Sequence, residues 1–464
     1  MENNNKQILP PLQTGGMVHR DWTQGSIVKN LLQISWPMIV TQMLMMLGPT
    51  IDMIWVGKLG NVAVAAVGVG GSVVMLAVCL MMGLNMGTLA LISRAFGGKD
   101  YETAQRAAQQ AFAITAIYSI TMAVIGRFFA EKIMSLVTTD PEVIRLGAIY
   151  LRIEFIGGLT IAFRMLMDII MQASGDTMNP MWISLVYRAV HIALCPFLVF
   201  GWWVFPELGI SGAAYTGIIA QGLGIVLGLM VLLSGKSHLK LSFRKFRIDM
   251  SMIWRIIRVG LPASISDVQR NLSQFFIQIF IASFGTAALA AHNIAQRLEM
   301  FCLVPAMALG MGAGVLVGQN LGAKKPERAE KSVWTAVLVI EAFIIVLCVS
   351  LFIWAKPVVH LFNDDPALEA SAVVFIRISL VGFLAIGFVF VLMSSIQAAG
   401  DTVPAMIINI AGIWGISMPL AYFLPRYTDW GVDSIRWALA ASIIATAVAL
   451  VIYFRIGRWK KRKV

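Results

Sequence analysis

Apolar residues run along this chain in blocks of about 20 or more, separated by short polar breaks. Twelve runs can be marked. Six fall at 32–56, 62–93, 104–126, 144–172, 180–205 and 210–233, and six more at 253–284, 287–318, 331–354, 370–398, 403–424 and 433–457. Each is long enough to cross a hydrocarbon core of about 30 Å as a helix. The breaks are patterned too. MQASGDTMNP at Met171–Pro180 returns as IQAAGDTVP at Ile396–Pro404, with Gln172 and Gln397 offset by 225 residues. The same offset relates Pro37 to Pro262, Gly60 to Gly285, Gly87 to Gly312, Gly97 to Gly322 and Arg152 to Arg377. One offset held over this much chain implies two homologous halves. The expected fold is all-α integral membrane, with twelve transmembrane helices in two six-helix lobes. Six spans per half is even, so both lobes insert the same way round. A pseudo-two-fold axis along the membrane normal should relate them. The expected division is an N-terminal tail at 1–31, an N-lobe at 32–233, an inter-lobe linker at 234–252, a C-lobe at 253–457 and a basic tail at 458–464.

Turn chemistry accounts for most of the repeated motif. Gly175 and Gly400 can end one helix in the left-handed conformation. Asp176 and Thr177, like Asp401 and Thr402, can cap the next. Pro180 and Pro404 suit its first turn. Only Gln172 and Gln397 are left without a structural role, which makes them candidates to face a cavity.

Composition agrees with a membrane chain: 58% apolar, 13% charged and a mean hydropathy of +0.80. Cys79, Cys195, Cys302 and Cys348 lie inside apolar runs with no metal-binding spacing, so free buried thiols are expected. The first 30 residues do not read as a removable signal peptide. A net charge of +12 would suit nucleic acid in a soluble chain. Here most Lys and Arg gather in the N-terminal tail, the 94–106 loop, the linker, the 324–331 loop and the final RIGRWKKRKV. That asymmetry is an orientation signal. It predicts a multi-pass inner-membrane protein with both termini cytoplasmic and no nucleic-acid partner.

Acids inside spans are costly, about 2.5–3.5 kcal/mol at mid-helix, and are functional candidates. They are Asp52, Glu154, Asp168, Asp267, Glu299 and Glu341, and none recurs at the repeat offset. The acids therefore break the symmetry that the scaffold keeps. Asp52 is the first candidate. Pro49 lies three residues before it and should free the carbonyl of Met45. An acid beside a freed carbonyl can hold a proton or help ligate sodium, so Asp52 is also the one metal candidate. Asp168 follows Arg164 by four residues and Asp267 precedes Arg270 by three, so each is either paired or functional. Glu299 faces a cavity or pairs with Arg270. Glu154 and Glu341 are read as snorkelling near span ends. His191 can titrate near neutral pH or serve as a bonded core histidine. Gln42, Asn85, Gln274, Gln278 and Asn293 could line a wet cavity, with interhelical hydrogen bonding the alternative. Abundant Met (27) and Phe (25) would suit a cavity for varied apolar ligands. No GxxxxGK[ST], HExxH or GxSxG motif is present, so ATP-driven pumping by this chain alone is not expected.

The stretches LGNVAVAAVGVG, FGTAALAAHNIAQRLEMF, LVGQNLGAKKPERA, QASGDT and QAAGDT together resemble the multidrug and toxic compound extrusion (MATE) family, over nearly all of the chain after about residue 26. The resemblance implies two six-helix lobes around a central cavity. It implies export of organic cations or other amphipathic compounds, coupled to inward flow of protons or sodium, with no other cofactor. Asp52 matches the family's first-helix acid. Pro37 matches the proline that bends that helix in one branch, so Pro37 and Pro49 are the candidate hinges. That branch has Asn and then Asp-Pro in its fifth helix, where this chain has His191 and Cys195-Pro196. Another branch's seventh-helix glutamate aligns with Arg270, one turn after Asp267. Its tenth-helix acid has no counterpart around Phe388–Met393.

The expected coupling residues are Asp52, His191 and Asp168. The expected cavity residues are Gln42, Asn85, Gln172, Asp267, Gln274, Gln278, Asn293, Glu299 and Gln397. The expected partners are small amphipathic or cationic molecules and the bilayer, and closed lobes suggest a monomer. Two alternatives remain: a lipid-linked sugar flippase holding a pyrophosphate with Arg164, Arg188, Arg270 and Arg297, or a membrane-embedded enzyme or receptor.

Overall fold

A computed structural model describes residues 21–244, 246–360 and 365–462. The first 20 residues of the expected N-terminal tail and the last two of the basic tail lie outside them. The first half is six helices: α1 (Ile27–Val56), α2 (Asn61–Gly97), α3 (Tyr101–Val137), α4 (Pro141–Ala173), α5 (Met178–Phe200) and α6 (Ile210–Ser234). The second half holds α7 (Met250–Ala282), α8 (Thr286–Gly322), α9 (Pro326–His360), α10 (Pro366–Phe383), α11 (Ile386–Ala398), α12 (Thr402–Ile410), α13 (Met418–Tyr427) and α14 (Asp433–Ile456). A π-helical turn, Ala411–Ser417, joins α12 to α13 into one rod, and α10 and α11 form one rod bent by 45°. Twelve rods result, six in each half, because in lipid every backbone group must be satisfied within its own segment.

Among the described residues, nine helices are long and apolar enough to cross a membrane, and the bent pair makes ten. The two rods outside this group, α4 and α7, are 33 residues each, about 50 Å at 1.5 Å per residue. Length does not exclude them. They fall short in composition because they carry Arg164 and Asp168, and Asp267 and Arg270, which face inward. The outer faces of the rods are apolar and uncovered: Leu338 is 71% exposed and Val346 66%. Such faces are stable only against lipid.

The repeat is visible in backbone geometry. Gly60 and Gly285 both have φ of 107°, and Lys99 and Lys324 both have φ of 59°. Gly175 and Gly400 take the expected left-handed conformation at 91° and 86°. The following cap is made in one copy only. Asp176 accepts from the Asn179 amide at 3.2 Å, whereas Asp401 accepts from the Tyr453 hydroxyl and faces Arg462 Nε at 3.7 Å.

The halves also differ where an acid intervenes. Glu341 sits mid-way along α9 and is 8% exposed, so it does not snorkel. Its Oε1 accepts from the Phe388 amide at 3.0 Å, in the first turn of α11. Free amides at a helix start attract an anion. The carboxylate thus caps the break between α10 and α11, and Gly387 leaves room for it: a Cβ there would lie 2.5 Å from Glu341 Oε1.

Candidate substrate cavity and coupling site

A central cavity opens where α1, α2, α4, α7, α8 and α11 face one another, with about 960 Å³ of empty space counted out to its mouth. That is the size of a small-molecule site, about 300–1,000 Å³. Gln42, Asn85, Asp168, Gln172, Asp267 and Gln397 line it, as do Arg164 and Arg270. The rest of the wall is largely soft and apolar: Met45, Met82, Met86, Met165, Met307, Met311 and Met393, with Phe390. Gln274, Gln278, Asn293 and Glu299 do not line it. They lie farther along α7 and α8, beyond the deep part of the cavity.

The cavity's charges are balanced within each half. Arg164 pairs with Asp168 on α4, and Arg270 Nη2 lies 2.9 Å from Asp267 Oδ1 on α7. The four-residue and three-residue spacings put each pair on one helix face. Two polar side chains reach the cavity unsatisfied. Both polar atoms of Asn85 and the Oε1 of Gln172 are buried with no hydrogen-bond partner among the described residues. Buried polar groups left so are expected to meet a ligand or water.

The cavity is sealed at the end that carries the chain termini. Gln42 Nε2 meets Met311 Sδ at 3.9 Å across the halves. Beyond it, Arg94 Nη1 donates to the Ala399 carbonyl at 3.4 Å, and Gln319 Nε2 donates to the Ala173 carbonyl at 3.1 Å. Lys325 Nζ and Arg328 Nη2 then hold the carbonyls of Thr23 and Gly25 at 3.0 and 2.8 Å. The inter-half hydrogen bonds between transmembrane helices all lie at or below the level of Asn271 and Cys79, which meet at 3.0 Å.

Asp52 and His191 form a separate cluster between α1 and α5. His191 Nε2 is 3.2 Å from Asp52 Oδ1, and the Cys195 thiol donates to the same oxygen at 3.6 Å. Arg188 Nη1 is 3.2 Å from His191 Nδ1. A guanidinium only donates, so Nδ1 is the acceptor, and the imidazole proton sits on Nε2 facing Asp52. Pro49 frees the Met45 carbonyl as expected, but Arg188 Nη2 takes it at 3.4 Å. It is therefore not left for a sodium ion beside Asp52. Gly48 makes the approach possible, since a Cβ there would lie 2.3 Å from Arg188 Nη1. Asp168, grouped with Asp52 and His191 from sequence, stands apart with Arg164 in the central cavity. The candidate hinges Pro37 and Pro49 both lie inside α1, which continues as one helix through them.

Sequence reading missed several groups. Glu299 pairs not with Arg270 but with Arg436 Nη1 on α14, at 2.6 Å, and Arg436 is 1% exposed. A lone arginine at the start of an apolar run looks like an interfacial residue, so only the packing reveals the pair. Arg94 and Gln319 are 225 residues apart. Searching that offset for paired polar residues would have found them. Of the four arginines considered for a pyrophosphate, Arg164 and Arg270 are neutralised, Arg188 is engaged by His191 and Met45, and Arg297 is exposed. They do not converge.

The MatE family model matches residues 37–197 and again 262–423, more than half of the chain, and its two starts are one repeat offset apart. A probable multidrug resistance protein of Bacillus subtilis, YoeA, is 26% identical over 454 residues, covering 97% of each chain. An FAD transporter of Shewanella oneidensis is 25% identical over 90% of this chain and 92% of its own. The fold matches the outward-facing structure of a multidrug resistance MATE family transporter of the MOP superfamily, with a TM-score of 0.89, 22% identity, and 96% of this chain and 99% of that one covered. The duplicated helices, the cavity between them and the family match on both halves lead to one conclusion: this chain is a multi-pass membrane transporter belonging to the MatE family.

Proposed function

We propose that this protein is a proton-coupled antiporter of the cell membrane that exports amphipathic organic compounds, organic cations among them, by alternating access. The observation that carries the reading is a methionine-lined cavity, sealed at the end bearing the termini and separate from a titratable Asp52–His191 pair. Flexible methionines adapt to varied apolar shapes. The self-neutralised ion pairs impose no net charge on the ligand, which fits relatives described as multidrug resistance proteins. The positive charge at the sealed end supports placing both termini in the cytoplasm, so the cavity faces outward.

Coupling runs through Asp52. Its neighbours are an imidazole, a thiol and, behind the imidazole, a guanidinium. This donor set suits a proton better than a hard cation, which prefers several oxygens. While Arg188 occupies Nδ1 of His191, the imidazole cannot take a second proton, so an incoming proton goes to the Asp52 carboxylate. The charge that holds α1 to α5 through His191 is then lost. Only a difference in proton affinity between outward and inward states can drive the cycle.

The test is dye efflux from vesicles of reconstituted protein, with a proton gradient or a sodium gradient imposed separately. A proton gradient should drive efflux, and Asp52→Asn should abolish that drive. Efflux driven by sodium at equal pH on both sides, or full proton-driven efflux by Asp52→Asn, would reject the assignment.

A further inference from the structure

A second chamber lies beside the central cavity, between α2, α3 and α4, with about 390 Å³ of empty space. Met165 lines both, so this side chain stands between them. The walls are almost wholly apolar, with Val74, Met81, Met122 and Phe155 among them. Two polar side chains enter, Tyr118 and Glu154. The Tyr118 hydroxyl is already spent on the Ala77 carbonyl at 2.6 Å. Glu154 therefore lies mid-way along α4 in the chamber wall, not at a span end.

Glu154 differs from the other acids within the bundle. Asp168 has Arg164, Asp267 has Arg270, Glu299 has Arg436 and Asp52 has His191. Glu341 has the amides that begin α11. Glu154 has only the neutral Tyr150 hydroxyl, one turn earlier. Among the described residues it has no ion pair. A carboxylate at membrane depth without a counter-charge is costly. A ligand that brings the counter-charge and covers the apolar wall relieves that cost. Space for such a body exists: a Cβ on Gly158, in the chamber wall, would have nothing within 4 Å.

We propose that this chamber is a second binding site, for a lipophilic organic amine whose ammonium group pairs with Glu154 while its hydrocarbon part lies against the apolar wall. The site goes beyond the export reading and stands without it.

The experiment uses the full-length protein in lipid nanodiscs and a dansyl-labelled six-carbon alkylamine, with the alcohol of the same length as control. Glu154→Gln removes the counter-ion, and Gly158→Leu fills the space without a clash. Each variant should bind one equivalent of amine fewer than the parent, or bind that equivalent about tenfold more weakly or worse. Alcohol binding should be unchanged in Glu154→Gln and reduced in Gly158→Leu. Amine binding of unchanged number and affinity in both variants would overturn the proposal. So would equal losses of amine and alcohol in Glu154→Gln, which would report damage to the fold. If Glu154→Gln does not fold, Gly158→Leu alone decides.

Discussion

Gly97 and Gly322 stand back to back across the interface of the two halves. A Cβ on Gly97 would lie 2.0 Å from the Gln319 carbonyl oxygen, and a Cβ on Gly322 would lie 2.0 Å from that of Arg94. Each glycine faces the residue three before its own repeat partner. The contact is therefore reciprocal, as a local two-fold axis between the ends of α2 and α8 requires. Backbone atoms form both contacts, so neither can yield as a flexible side chain would.

Gly97→Ala and Gly322→Ala should thus wedge the sealed end open. Overpacking of this kind typically costs about 1–3 kcal/mol. Both variants should melt earlier, by similar amounts, and a cysteine placed at Gln397 should label faster from the side of the termini. Unchanged labelling in both would show that the closure does not depend on this crossing.

Arg94 and Gln319 reach across the same axis in opposite directions, to Ala399 and Ala173. A net hydrogen bond contributes about 0.5–1.5 kcal/mol, and more when charged. Arg94→Ala and Gln319→Ala should each shift the population toward the state open at this end, with Arg94→Ala having the larger effect. Distances between spin labels on α2 and α8, measured with and without the substitutions, check the shift.

Gly48 exists beside Arg188 for a steric reason, so Gly48→Ala should push the guanidinium away from His191 and the Met45 carbonyl. The obstructing atoms are the flexible end of a side chain, so the fold should survive with little loss of melting temperature. His191 Nδ1 would then be free to accept a proton. The dependence of efflux on external pH should change shape in Gly48→Ala while substrate binding at fixed pH does not. An identical pH profile would separate Arg188 from the coupling step.

Arg436 and Glu299 form a buried pair away from both sites. Breaking such a pair by removing one partner typically costs about 3–5 kcal/mol, because the other charge is left buried. Arg436→Met and Glu299→Gln should each lower the melting temperature sharply. The double variant should recover much of the loss, as a melting series in detergent would read.

Much of the architecture was legible in the chain because lipid removes choices. Apolar runs must be helices, and a repeat offset must be a structural repeat. The left-handed turns at Gly175 and Gly400 were equally readable, since turn chemistry is local. Charged residues were harder to read. Spacing of three or four residues revealed Arg164 with Asp168 and Asp267 with Arg270, because one helix face sets both partners. It could not reveal Glu299 with Arg436, which lie 137 residues apart, nor Glu341 capping a break 47 residues away.

By itself, then, the sequence determined the helices, their duplication and the acids that break its symmetry. Only tertiary structure decided which of those acids met a cation, which met free amides, and that Glu154 met neither. It also decided that Asp52 and Asp168 serve different places. The physical reason is range. Hydrophobic periodicity and turn preference act between near neighbours, whereas an ion pair needs two helices brought together by packing, and nothing local records which pair that will be.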